Sequence, residues 1–152
     1  MAIPKQNSAT RILNFDEVAL GYTLEQALQE ASRCLACPKR PCIEGCPVEI
    51  DIPEFISHVK ENDLAQALAV LKAKNSLPAI CGRVCPQETQ CEVKCSLAKK
   101  GAPIAIGRLE RYVADWELAD ARQRRPRIDI APPSGKMVAV VGSGPAGLTA
   151  AC

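Results

Sequence analysis

The sequence predicts a mainly α-helical fold that gives way, near its end, to the opening strand–turn–helix of a Rossmann-type domain. Three observations predict it. Apolar residues recur at helical spacing in four stretches between residues 24 and 121. Eight of the nine cysteines fall in two proline-bearing groups, 34–46 and 81–95. A short β-branched run, 137–141, leads straight into a glycine-rich turn. The implied organisation is a helical unit over 1–121, a linker over 122–136 and the start of a dinucleotide-binding domain over 137–152.

Residues 1–22 form a weakly patterned leader. From Thr23 the pattern turns helical, with Leu24, Ala27, Leu28 and Ala31 on one face, and the helix runs into Cys34. A cysteine- and proline-rich loop covers 34–50. Asp51 then caps a helix that has Pro53 in its first turn and Glu54 three residues after the cap, with Phe55, Ile56 and Val59 facing inward. Asp63 and Gln66 repeat this logic for a helix whose inner face is Leu64, Ala67, Leu68 and Leu71. A second cysteine loop spans 81–95. A further helix runs from about Ile104 to Ala121, burying Ile106, Leu109, Val113 and Trp116. The linker holds four Arg and three Pro. A lone strand and one helical turn do not make a Rossmann domain, which needs several βαβ units, so the chain is expected to be a fragment.

Composition narrows the function. A net charge of +2 gives no support for a nucleic-acid surface. No run is apolar enough to span a membrane, and the first ten residues carry no secretory h-region. A cytoplasmic location follows as the expectation, and nine cysteines in a reducing compartment argue for metal ligation over disulfides.

The two groups read Cys34-x2-Cys37-x4-Cys42-x3-Cys46-Pro47 and Cys81-x3-Cys85-Pro86-x5-Cys91-x3-Cys95. An iron–sulfur cluster needs four converging thiolates; tight spacings supply neighbouring ligands and a distant cysteine closes the site. In two-cluster ferredoxins the cysteine before a proline serves the other cluster. That logic moves Cys46 out of the first group. The preferred partition is Cys34, Cys37 and Cys42 with Cys95 for one [4Fe–4S] cluster, and Cys46, Cys85 and Cys91 with a fourth ligand for the other. Cys81 is the simple choice for that fourth ligand. Structural zinc is the rival reading, because all-cysteine zinc sites also use C-x2-C pairs. Cys42-x3-Cys46-Pro47 and Cys81-x3-Cys85-Pro86 form a short internal echo, each with a Glu two residues on. Cys152 reads as a small buried hydrophobe.

Gly142-Ser143-Gly144-Pro145-Ala146-Gly147 follows a predicted strand and opens a helix, the context a dinucleotide-binding turn requires. Its glycines let the backbone approach a pyrophosphate. The acidic residue expected about 20 positions further on would lie beyond Cys152. His58, the only histidine, reads as a solvated or capping residue, and Arg122–Arg127 as a solvated linker.

Cys34 to Trp116, with CGRVCPQETQCEVKC at 81–95 and PIAIGRLERYVADW at 103–116, followed by VAVVGSGPAG at 138–147, resembles the N-terminal domain of the glutamate synthase small subunit. It is similar too to the large subunit of the electron-bifurcating NADH-dependent ferredoxin:NADP oxidoreductase, and more distantly to dihydropyrimidine dehydrogenase. The resemblance implies an α-helical ferredoxin-like domain with two [4Fe–4S] clusters, ahead of FAD and NAD(P)H domains, with the 142–147 turn meeting FAD. It also implies that Glu110, in GRLERY, can take the place of Cys81 as a cluster ligand. The implied function is electron relay from reduced flavin through the clusters to a partner: a glutamate synthase large subunit or a flavin-containing small subunit. A non-redox zinc module for assembly is the reading from another class. No Ser/His/Asp or Cys/His arrangement suggests a catalytic residue.

Overall fold

The computed structural model describes residues 3–123 and 131–151. The expected linker therefore lies outside the described residues over 124–130, and so does Cys152. The described residues are mainly helical.

The leader folds back on itself. An antiparallel bridge joins Lys5 to Ala19 around a short helix, α1 (Ser8–Arg11), capped by Asn7. α2 (Leu24–Ser32) starts at a reciprocal capping box between Thr23 and Gln26, which satisfies two otherwise orphaned N–H groups. α3 (Pro41–Glu44) is a single turn inside the first cysteine segment. α4 (Ile52–Lys60) and α5 (Leu64–Lys72) begin where the sequence places them: Asp51 accepts from the Glu54 N–H and Asp63 from the Gln66 N–H. α6 (Pro78–Val84) follows, then a 3-10 turn, Gln87–Thr89, then α7 (Cys91–Lys94) and a second 3-10 stretch, Ser96–Lys100. α8 (Ile106–Gln123) is the longest helix, and α9 (Pro145–Ala151) ends the described chain.

The core is built from Ala27 and Ala31 of α2, Phe55, Ile56 and Val59 of α4, Leu64, Ala67 and Leu71 of α5, and Ile106, Leu109 and Val113 of α8. α8 packs along α6 and also touches α2, α4 and α5. Among the described residues Cys91 is the one cysteine in the buried core, and Cys34, Cys42, Cys46 and Cys95 pack against that core. In a chain with 3% aromatic residues, the cysteine segments thus share the interior with aliphatic side chains.

Two expected faces need correction. Trp116 is exposed rather than core, on the stretch of α8 where Glu117 pairs with Lys72 of α5. Leu24, the first residue of α2, is exposed as well. Residues 137–141 carry no strand: a parallel strand pairs only with neighbouring strands, and none is present among the described residues. α9 does open where the glycine turn predicts. Gly142 sits at φ +114°, and a β-carbon on Gly147 would lie 2.0 Å from the Gly142 oxygen, so this tight turn requires glycine at both places.

Candidate metal centres

The first cysteine segment hangs from the C-terminus of α2. The Cys34 N–H donates to the Ala31 carbonyl at 3.0 Å, so the thiol leaves the helix within one turn. The loop then passes through left-handed backbone at Ala36 (φ 46°) and Arg40 (φ 42°), and again at Glu49 (φ 54°) after Cys46. Left-handed backbone at non-glycine residues is costly and gathers at functional sites. Two of these residues, Ala36 and Arg40, lie between Cys34 and Cys42, which with Cys37 line one cavity. α3 begins beside Cys42, and the Cys46 N–H closes its end on the Ile43 carbonyl at 2.9 Å.

The second segment differs from the predicted loop. Cys81 lies within α6, a helix started by Pro78 with no polar N-cap. Cys85 caps that helix, and Cys91 and Cys95 bracket α7.

These segments interleave. α3 packs on α7, and Gly45 makes the contact possible: a β-carbon there would stand 2.7 Å from the Gln90 carbonyl oxygen and 2.9 Å from the Cys91 Cα. Cys42-x3-Cys46 therefore lies against Cys91-x3-Cys95. Each short helix, taken with the cysteine just past its end, contributes one cysteine to each of two cavities.

The first cavity is lined by Cys34, Cys37, Cys42 and Cys95, with Ile52, Ile56 and Ile106 among its apolar walls. It is narrow, about 20 Å³. Cys37 Sγ lies 3.2 Å from the Ser96 hydroxyl. The second, about 200 Å³, is lined by Cys46, Cys81, Cys85 and Cys91, together with Glu110, Asn75 and Gln90. Cys85 Sγ donates to Gln90 Oε1 at 3.0 Å. Asn75 Nδ2 donates to Glu110 Oε1 at 2.7 Å. Among the described residues no three His, Cys, Asp or Glu groups converge on a single ion. The thiols line the two voids.

Both cavities disfavour an uncompensated anion. Burial pushes the Cys42 thiol up to about 11 and Cys91 up to about 12, and raises Cys34, Cys81 and Cys85 as well. Burial also pushes Glu110 up to about 7, against the lowering effect of the Asn75 hydrogen bond. A buried thiolate or carboxylate needs a compensating positive charge, and metal binding supplies it as the proton leaves. The donor set and the apolar walls fit iron–sulfur clusters, which are held by thiolates and tuned by burial and hydrogen bonds to sulfur.

All the proposed thiols are free and all border one of the two cavities. His58 lines neither; its Nδ1 is buried in the last turn of α4 without a partner. Sequence reasoning missed Asn75, Gln90 and Ser96. The only signal was for Asn75, a residue suited to a turn shortly before Pro78.

Residues 11–122 match the family described as dihydropyrimidine dehydrogenase domain II, 4Fe-4S cluster. The chain is 38% identical over 151 residues to the NAD-dependent dihydropyrimidine dehydrogenase subunit PreT of Escherichia coli, covering 97% of this chain and 34% of that protein. It is 36% identical over 148 residues to the glutamate synthase [NADPH] small chain of the same species, covering 97% and 31%. The glutamate synthase [NADPH] small chain of Halomonas elongata is 38% identical over 144 residues, covering 95% and 30%. The chain thus spans about a third of the length of each of these relatives. With two cysteine-lined cavities inside the matched region, the chain belongs to the 4Fe-4S family of dihydropyrimidine dehydrogenase domain II.

Proposed function

We propose that this chain is the electron-relay module of an NAD(P)H-dependent flavoprotein oxidoreductase of the glutamate synthase small-chain type. The reading rests on one observation above all: two interleaved cysteine segments that line two separate apolar cavities. Cys34, Cys37, Cys42 and Cys95 would hold one [4Fe–4S] cluster. Cys46, Cys85 and Cys91 would hold the other, with Glu110 as fourth ligand and Cys81 beside it. Glu110 is favoured because it is a buried carboxylate whose charge, among the described residues, is met by the Asn75 amide alone. Iron would supply the missing positive charge.

When bound, such clusters exchange single electrons. The protein's own part is to exclude water and fix the ligands. Phe55, Ile52 and Ile106 wall the second cavity. Ser96 and Gln90 set polar groups against Cys37 and Cys85, where contacts to sulfur tune potential. The 142–147 turn would face the pyrophosphate of FAD, which the close approach of Gly147 to the Gly142 oxygen supports. NAD(P)H would reduce the flavin through residues beyond this chain, and the electrons would pass to a partner oxidoreductase subunit. Delivery toward glutamate formation, or toward ferredoxin and NADP, depends on that partner.

Anaerobic purification with iron and acid-labile sulfide counts tests the proposal. About eight of each per chain, with a visible band that bleaches on dithionite, is the expected result. Zinc without sulfide or colour would overturn it.

A further inference from the structure

One side chain touches both candidate fourth ligands of the second cavity. Asn75 is buried in the turn between α5 and α6. Its Nδ2 donates to Glu110 Oε1 at 2.7 Å. Its Oδ1 accepts the Leu77 N–H at 3.0 Å and faces Cys81 Sγ at 3.5 Å. A backbone N–H only donates, so Leu77 fixes which end of the amide is oxygen. The nitrogen is left for the carboxylate and the oxygen for the thiol.

Glu110 and Cys81 come from different helices, α8 and α6, brought together where Gly82 lies against Arg111. Both line the same cavity, yet only one can complete a site that already has Cys46, Cys85 and Cys91. The donor of Asn75 favours an anionic oxygen at Glu110. Its oxygen, held by the Leu77 N–H, is the atom that faces Cys81, so Asn75 offers Cys81 no donor.

We propose that Asn75 is a positioning residue that selects the Glu110 carboxylate over the Cys81 thiol as the fourth ligand of the second cluster. The proposal rests on reading this cavity as a [4Fe–4S] site. Removing the amide reverses the selection: an iron–sulfur bond to Cys81 forms as the iron–oxygen bond to Glu110 breaks, and the thiol proton leaves to solvent. Iron keeps its oxidation state throughout.

The test uses single and paired variants of the whole chain, read by iron and sulfide content and by redox titration of each cluster. Cys81→Ser alone should keep about eight irons, because Glu110 holds the site. Asn75→Leu should also keep about eight but shift the potential of one cluster and not the other. Asn75→Leu with Cys81→Ser should fall to about four, because the site has come to depend on Cys81. Asn75→Asp keeps the acceptor for Leu77, so it preserves the turn, but sets an anion against both candidates. It should lose the second cluster alone, falling to about four with helicity unchanged.

Loss of the second cluster in Cys81→Ser alone would overturn the proposal. So would an Asn75→Leu, Cys81→Ser protein that retains eight irons, or an Asn75→Asp protein with wild-type content and potentials. A wild-type chain lacking iron and sulfide would overturn the cluster assignment itself, a different result from any of these.

Discussion

Gly82 lies so close to Arg111 that a β-carbon at position 82 would stand 2.6 Å from the Arg111 backbone nitrogen and 2.7 Å from its Cα. Both obstacles are backbone, so neither can swing away. This contact sets the spacing of α6 and α8, and therefore of Cys81 and Glu110. Gly82→Ala should destabilise the protein by about 1–3 kcal/mol, the usual cost of overpacking. Thermal unfolding should show it as a lower midpoint, and the second cluster should be lost before the first.

The crossing of the two cysteine segments makes a prediction about pairs of substitutions. Cys46→Ser with Cys91→Ser removes two ligands from one cavity, leaving the other set intact. Cys46→Ser with Cys42→Ser removes one from each, although these two residues are closer in sequence. Iron content should fall to about four in the first pair and further, toward none, in the second. Equal content in both pairs would refute the crossing.

Glu30 is buried, accepts the Ala105 N–H at 3.0 Å near the start of α8, and pairs with Arg33 at 2.5 Å. Arg33 in turn donates to the Ala102 carbonyl at 2.7 Å. Glu30→Ala would strand the Ala105 N–H and free a guanidinium that is partly solvated already. A loss of about 2–3 kcal/mol is expected, and Glu30→Gln, which keeps the acceptor, should lose less. Thermal melts of the three proteins check the order.

Glu17 joins the leader to both helices of the second site. It pairs with Arg83 of α6 at 2.7 Å and with Arg111 of α8 at 2.8 Å. The hydrogen bond from Arg83, aided by the Arg111 charge, holds Glu17 below its ordinary value of 4.5. A depressed carboxylate stabilises above its unfolded pKa and loses that contribution only as pH falls through the folded one. Resistance of the leader to thermolysin at exposed Ile12, Leu13 and Phe15 should therefore be unchanged between pH 7 and pH 5. Glu17→Gln should be cut faster at both values.

Local rules were legible in the sequence and distant contacts were not. Asp51 and Asp63 announce their helices because a cap acts on the backbone three residues away. Phe55, Val59 and Leu71 are found by period alone. The gathering of Cys95 with Cys34, Cys37 and Cys42 was suggested by a proline after Cys46, a local mark of a distant event. The helix carrying Cys81 was invisible because Leu77 gives it no polar cap. Trp116 fits the helical period but stays exposed, and a period cannot say where packing stops. Asn75 and Glu110 lie 35 residues apart, and only the closure of α6 on α8 brings the two together.

The leader's ion pairs have a practical consequence for anyone excising this unit. A fragment cut to begin at the first cysteine would keep every thiol and lose Glu17, leaving the Arg83–Asp115 pair to bridge the helices that carry Cys81 and Glu110 without the leader's support. The family match begins at residue 11, ahead of Glu17. The cysteines begin at residue 34, but the ion-pair frame around the second pair of walls starts more than a dozen residues earlier.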